Sequence, residues 1–178
     1  IVVEIDMDAD ILKTIFQLAE KYHKKVFAIV SNMSIAMERR DLMKQTDCVV
    51  CNQEEAGLLF SEDYSNLSPS ELAEIIDEKV EQAQFTRMVV TMGEQGAVYA
   101  EKHEDYGTIP AKKTIVQDTT GCGDAFFSGV CIGLTYGKSL KESCEIGTRL
   151  ASSVIATKEN VCPRFLPSEF NLDVEVEK

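Results

Sequence analysis

The segment with the clearest chemical potential is Asp118-Thr119-Thr120-Gly121-Cys122-Gly123-Asp124, which runs directly into an apolar helical pattern. Two glycines one residue apart let the backbone approach a ligand closely and turn its N–H groups toward it. A helix that begins here adds a partial positive charge, which suits a phosphate or a developing oxyanion. A carboxylate at Asp124 would repel phosphate but is well placed to take a proton from an attacking hydroxyl. Taken alone, the segment is also compatible with an ordinary helix cap.

Two further polar segments follow strand-like runs. Asn52-Gln53-Glu54-Glu55 opens a helical pattern, so Asn52 can contact a ligand from the strand end. Glu55 can either hold hydrated Mg²⁺ or simply favour the helix dipole. Thr91-Met92-Gly93-Glu94-Gln95-Gly96 offers a hydroxyl and a close backbone approach for a nucleotide, although an ordinary turn has the same composition. Because ligands of open α/β sheets bind beyond the carboxyl ends of the strands, all three segments are expected at that edge.

The elements that must position these segments alternate between strand and helix along the whole chain. This alternation predicts a mainly parallel sheet with helices on both faces. Capping boxes at Ser68–Glu71 and Ser139–Glu142 mark two helix starts. Strands are predicted at 1–5, 26–30, 47–51, 87–91, 97–101 and 112–116, and helices at 37–44, at 53–60, after Ser68, after Gly121, after Ser139 and along a face formed by Ile11, Ile15, Leu18 and Tyr22.

Composition narrows the class of protein. The 178 residues carry a formal net charge of −12, and no basic patch offsets it, which argues against nucleic acid or an anionic membrane as partner. No apolar run approaches the roughly 20 residues of a membrane-spanning helix, so we expect a soluble, cytoplasmic protein. The six cysteines are expected to be free or buried thiols, since disulfide frameworks belong to small secreted domains and no second ligand pair accompanies the Cys48–Cys51 spacing to hold zinc.

Taken in order, these segments resemble the PfkB family, the ribokinase-like carbohydrate kinases. Residues 118–124 resemble its DTxGAGD signature, residues 52–55 its NxxE motif and residues 91–96 its TxGxxG turn. The resemblance implies a three-layer α/β/α ribokinase-like fold in one domain over residues 1–178. It also implies transfer of the ATP γ-phosphate to a hydroxyl of a sugar or nucleoside. Family members usually carry further N-terminal strands and a β-lid that often forms a homodimer, so the chain is similar to the nucleotide-binding C-terminal half.

The resemblance also implies a role for each matching residue. Asp124 would be the catalytic base, and the backbone N–H groups of Gly121, Cys122 and Gly123 would form the anion hole. Glu55 would organise Mg²⁺ through water. The nucleotide would be contacted by Ser31, Asn52, Thr91, Gly93 and Gly96 as well as by the glycines of the signature. A monovalent cation such as K⁺ would involve Asp118, Thr120 and the stretch 156–162.

The sequence departs from the family pattern at two positions. Cys122 replaces the usual Ala, and Asn160 lies where many members have Gly.

Three functions are compatible with the resemblance. The first is a kinase whose acceptor is of the pseudouridine, ribose or fructose type. The second is a non-catalytic, nucleotide-binding regulatory module of the same fold, which the intact Asp124 argues against. The third is a related kinase that acts on a vitamin or pyrimidine alcohol.

Overall fold

A computed structural model of the chain describes residues 1–159, 161–163 and 165–172. These residues group into two compact units, Ile1–Pro110 and Ala111–Lys178. The first unit contains the sheet and the second contains the signature segment.

The first unit is built on a six-stranded sheet whose strand order follows the chain, β1-β2-β3-β4-β5-β6. Strands β1 to β4 are parallel to one another, and β5 and β6 each pair antiparallel with the strand before them. The strands are β1 Val2–Glu4, β2 Phe27–Ile29, β3 Cys48–Asn52, β4 Arg87–Thr91, β5 Ala97–Glu101 and β6 Tyr106–Ile109. The helices are α1 Ala9–Lys21, α2 Met33–Met37, α3 Arg40–Met43, α4 Gln53–Phe60 and α5 Pro69–Ala83.

Apolar, largely β-branched runs explain the central strands. All residues of β3 before Asn52 are buried, as are Met88, Val89 and Val90 of β4, which is the pattern of parallel strands in a sheet interior. Helix α5 begins as predicted, because the Ser68 hydroxyl caps the N–H of Glu71 and the Glu71 carboxylate returns to Ser68. The core of this unit joins the sheet to residues of α1, α3, α4 and α5, among them Leu12, Phe16, Leu42, Leu59, Leu72, Ile76 and Val80.

The second unit contains α6 Cys122–Thr135 and α7 Leu140–Ile155, followed by a short 3₁₀ turn at Pro167–Phe170. The two helices approach closely where neither has a large side chain. A Cβ added at Gly129 would lie 2.5 Å from the Cα of Gly147. Helix α7 begins at the predicted capping box, in which Ser139 and Glu142 bond reciprocally. The close approach therefore fixes α6, and with it the signature segment at its start.

The alternation of strands and helices and the mainly parallel sheet are confirmed, but three local predictions are wrong. Residues 112–116 form no strand, and Ile115 and Val116 are exposed; β6 pairs with β5 instead. The helix expected at 37–44 is divided into the short helices α2 and α3. Helix α1 buries Leu12, Phe16 and Ala19, whereas Ile11, Leu18 and Tyr22 of the predicted face are exposed.

The structure also bears on the state of the cysteines and on the search for membrane-spanning helices. The six cysteines, all within the described residues, are thiols outside any disulfide; Cys48, Cys51, Cys131 and Cys144 are buried, and Cys122 and Cys162 are partly exposed. Among the helices of the described residues, none combines the length and the apolar character needed to cross a bilayer.

Candidate functional site

Three of the predicted nucleotide contacts meet at the carboxyl edge of the parallel strands in the first unit. Asn52, the last residue of β3, is in register with Thr91, the last residue of β4. Ser31 lies two residues beyond Ile29, which is in register with Val50, as Asn52 lies two residues beyond Val50. The Thr91 hydroxyl donates to the carbonyl of Cys51 at 3.4 Å, which leaves the lone pairs of its oxygen able to accept a hydrogen bond. The prediction that the segments beginning at Asn52 and Thr91 share one edge of the sheet is confirmed for these two segments.

Asn52 and Glu55 also bind each other. The Asn52 side chain accepts the N–H of Glu55 at 2.8 Å, and the Glu55 carboxylate accepts the N–H of Asn52 at 2.7 Å. Sequence reasoning identified the same reciprocal box at Ser68 and Ser139 but missed it here, although Asn is as good a cap as Ser. Burial raises the pKa of Glu55, with the hydrogen bond from Asn52 opposing that shift. One carboxylate oxygen is therefore engaged and the other is left for a ligand.

The turn after β4 brings Gly93 and Gly96 beside Thr91. A 3₁₀ turn spans Gly93–Gln95, and the Met92 N–H donates to the Gly96 carbonyl at 2.8 Å to close it. Gly96 has φ 100° and ψ −130°, a conformation that side-chain-bearing residues rarely adopt. The backbone here is consequently free of side chains at the two positions that sequence analysis assigned to nucleotide contact.

In the second unit, helix α6 begins without a side-chain cap. Gly121 occupies the cap position with φ 78°, in the left-handed region. The Cys122 N–H donates to the Thr119 carbonyl at 3.3 Å, and the Ala125 N–H donates to Gly121 at 2.9 Å. Within the described residues, the N–H groups of Gly123 and Asp124 have no hydrogen-bond acceptor. Two N–H donors without an acceptor and the positive end of the helix dipole therefore lie at the predicted anion hole.

The acidic residues of the signature have different surroundings. Asp124 lies in the first turn of α6 and is exposed, as is Gly123 beside it. Asp118 accepts the Thr120 N–H at 2.8 Å, and this hydrogen bond lowers the pKa of the Asp118 carboxyl. The two residues predicted to hold a monovalent cation therefore bind each other and shape the loop. Asn160, the departure noted within the stretch 156–162, lies outside the described residues.

The structure thus assembles two groups of predicted residues, one in each unit. Ser31, Asn52, Glu55 and Thr91 belong to the strand edge, and residues 118–124 belong to the start of α6. Among the described side chains, no group of three or more His, Cys, Asp or Glu is arranged to hold a metal ion. A divalent metal at Glu55 would have to be held mainly by water and phosphate oxygens, which is how Mg²⁺ is commonly bound.

The chain is similar in sequence to known kinases. Residues 3–163 match the family described as pfkB family carbohydrate kinase. A guanosine-inosine kinase of Exiguobacterium acetylicum is 33% identical over 162 residues, which cover 90% of this chain and 52% of that protein. A 2-dehydro-3-deoxygluconokinase of Haemophilus influenzae is 34% identical over 100 residues, 53% of this chain and 32% of its own.

Solved structures share the fold. A probable sugar kinase from Rhizobium etli superposes with a TM-score of 0.76 at 26% identity, over 91% of this chain and 49% of that one. Ribokinase of Arabidopsis thaliana, solved with ribose and ATP, gives a TM-score of 0.77 at 20% identity, over 89% and 50%. The chain therefore has the ribokinase-like fold and spans about half the length of these proteins.

Proposed function

The chain belongs to the PfkB family of carbohydrate kinases, and on that premise we propose that it supplies the phosphoryl-transfer residues of an ATP-dependent kinase. The acceptor is a hydroxyl of a sugar or nucleoside. The observation that carries the proposal is the start of α6, where the N–H groups of Gly123 and Asp124 lack an acceptor among the described residues. Preorganised donors of this kind stabilise the charge on a transferring phosphoryl group.

Asp124 supplies the proton acceptor in this proposal. As the acceptor oxygen bonds to the γ-phosphorus and the bond to the ADP oxygen breaks, the hydroxyl proton passes to the Asp124 carboxylate. Gly121, Cys122 and Gly123 present their N–H groups to the moving phosphoryl oxygens. The Cys122 N–H joins them by giving up its long 3.3 Å bond to Thr119.

Glu55 is suited to hold Mg²⁺ through water. Its carboxylate has one oxygen fixed by the Asn52 N–H, which orients the other oxygen without using it. A nearby cation would also offset the desolvation cost of the Glu55 carboxylate, because it favours the charged form. When bound, the metal neutralises charge on the ATP phosphates. Ser31, Asn52, Thr91, Gly93 and Gly96 line the path of the nucleotide, and Asp118 and Thr120 remain the candidates for K⁺.

Among acceptors, purine nucleosides come first. The guanosine-inosine kinase matches 90% of this chain at 33% identity, which supports guanosine and inosine ahead of pseudouridine, ribose and fructose-type sugars. A cytoplasmic location and a homodimer formed through a lid belong to the same proposal.

The test compares Asp124→Asn with Glu145→Gln in the full protein. Glu145 lies in α7 and is exposed, so its substitution changes charge equally but leaves the signature intact. We expect Asp124→Asn to retain ATP binding and to lower kcat by at least about 10²-fold, with Glu145→Gln unchanged. Near-normal turnover in Asp124→Asn would remove it as the base. ATP binding by the wild type without transfer to any acceptor would favour the regulatory module.

A further inference from the structure

A pocket of about 270 Å³ lies in the first unit, away from the strand edge described above. Its apolar lining includes Phe60 and Phe85, whose ring centroids are 6.4 Å apart. Arg40 and Lys44, which are both exposed, line it together with Lys79, and no acidic residue is among the lining residues. The chain has thirty acidic and eighteen basic side chains, so a lining with three cations and no carboxylate runs against its overall charge.

The topology separates this pocket from the candidate nucleotide contacts. Lys44 follows α3, Phe60 ends α4 and Ala83 ends α5. Helices that connect parallel strands run back toward the amino ends of those strands, so these helix ends lie at the opposite edge of the sheet from Asn52. Helix α4 alone, with eight residues, places about 12 Å between them. A ligand in the pocket would therefore be distinct from the nucleotide that we propose to bind at Thr91.

The partners of the three cations show which of them are available. Arg40 donates one of its five N–H groups to the carbonyl of Leu59, and the other N–H groups remain available. Lys79 pairs with Glu62 and lies over the Phe60 ring, 5.7 Å from its centroid. Within the described residues, no hydrogen bond or ion pair engages the Lys44 ammonium. Arg40 and Lys44 are thus free to meet one anionic group at the pocket.

We propose that this pocket is a second binding site, for a small aromatic molecule that carries a phosphate group. The ring occupies the apolar part of the lining, and the phosphate meets Arg40 and Lys44. Guanidinium and ammonium groups form strong charge-assisted bonds to phosphate, and apolar side chains favour burial of an aromatic ring. The volume is just below the usual range for ligand cavities, which limits the ligand to about one ring system.

The experiment titrates the full protein with phenyl phosphate, with phenol and with inorganic phosphate. Binding is followed by the NMR shifts of the Leu59 and Ala83 methyl groups, both of which line the pocket. We expect saturable shifts with phenyl phosphate, about tenfold tighter than with either half alone. Lys44→Gln should weaken this binding about five- to tenfold. Lys24→Gln, an exposed lysine of the same unit outside the pocket, is the matched control and should bind as the wild type does.

A variant that fills the pocket and a competition with ATP test whether the shifts arise from binding in this pocket. Ala83→Leu fills the pocket without altering its charges and should abolish the methyl shift of Leu59. Saturating ATP should leave the shifts in place. Equal binding by Lys44→Gln and Lys24→Gln, displacement by ATP, or no shift at millimolar phenyl phosphate would each overturn the proposal. Because the readout is binding at the ends of α4 and α5, such a failure leaves the proposed kinase function untouched.

Discussion

The Glu55 carboxylate accepts the backbone N–H of Asn52 at 2.7 Å, and burial distinguishes Glu55 from two other glutamates that make the same local motif. Glu71 and Glu142 close identical boxes with Ser68 and Ser139, and those hydrogen bonds lower the pKa of each. At Glu55 burial outweighs the hydrogen bond, and the pKa is raised. A carboxylate held at a strand edge against the cost of desolvation is a candidate for a functional role.

A pH titration should rank these three carboxyl groups. In the unfolded chain all glutamates titrate near their ordinary value of 4.5. In the folded protein, NMR of the side-chain carboxyl carbons should place the midpoint of Glu55 above 4.5 and those of Glu71 and Glu142 below it. Coincident midpoints would contradict the role of burial at Glu55.

The same shifts fix the sign of the stability change. The native state holds the Glu55 proton more tightly, so its contribution to stability falls as pH rises from the unfolded pKa through the raised folded pKa. Glu71 and Glu142 act in the opposite sense: their contribution is present above the unfolded pKa and is lost as pH falls through the lowered folded values.

Glu55→Gln should separate capping from metal binding. The glutamine oxygen can still accept the Asn52 N–H, so we expect the free energy of unfolding to change by less than about 0.5 kcal/mol. The charge is lost, and the Mg²⁺ concentration for half-maximal phosphoryl transfer should rise by about tenfold or more. Glu71→Gln alters the matching box of α5 and should leave the Mg²⁺ dependence unchanged. Equal Mg²⁺ dependence in both variants would assign Glu55 to capping alone.

Local signals made much of the fold predictable, and non-local pairing limited the rest. The starts of α5 and α7 follow from Ser, Glu and their three-residue spacing, which act within one helical turn. Residues 112–116 are as β-prone as a strand, but a strand needs a partner that local sequence does not specify. In α1, two apolar stripes compete, and only the packing decides that Phe16 rather than Leu18 is buried.

The candidate site was predictable for a related reason. Asn52 and Thr91 follow strong apolar strands, and parallel strands of equal register bring their carboxyl ends together. The bond between Asn52 and Glu55 could also have been read from the sequence, since it repeats the spacing found at Ser68. The basic pocket could not, because Arg40, Lys79 and Phe85 come from three separate stretches of chain that only the tertiary fold brings together.

Gly123→Ala should affect ligand binding without affecting folding. A Cβ at this position meets no heavy atom within 4 Å, and alanine favours a helix over glycine by about 0.5–1 kcal/mol. We therefore expect equal or greater stability in urea but at least a tenfold lower kcat/KM for ATP, because the methyl group intrudes on the anion hole. Gly121→Ala is the contrast: its φ of 78° makes alanine cost about 1–2 kcal/mol, so stability and activity should fall together. Unchanged kinetics in Gly123→Ala would place the phosphates elsewhere.

Cysteine labelling offers a direct test of where ATP binds. Burial raises the pKa of the Cys51 and Cys144 thiols and takes that of Cys131 to about 12, so these thiols should be unreactive in the folded protein. Mass spectrometry after brief iodoacetamide treatment should find Cys122 and Cys162 modified first. Saturating ATP should slow labelling of Cys122 but not of Cys162, which serves as the internal control. Equal rates with and without ATP would contradict nucleotide binding at the signature segment.

Gly129→Ala should show that the contact between α6 and α7 positions the signature segment. A Cβ there would lie 2.5 Å from the Cα of Gly147 and 2.6 Å from its nitrogen, both backbone atoms that cannot move aside alone. The helices must separate, which we expect to cost about 1–3 kcal/mol in urea unfolding. Because Asp124 and Gly123 lie at the start of α6, turnover should fall further than the loss of folded protein explains. Ser128→Ala, one residue earlier on an exposed face, should leave both quantities unchanged, and an unfolding midpoint in Gly129→Ala equal to that of Ser128→Ala would contradict the packing argument.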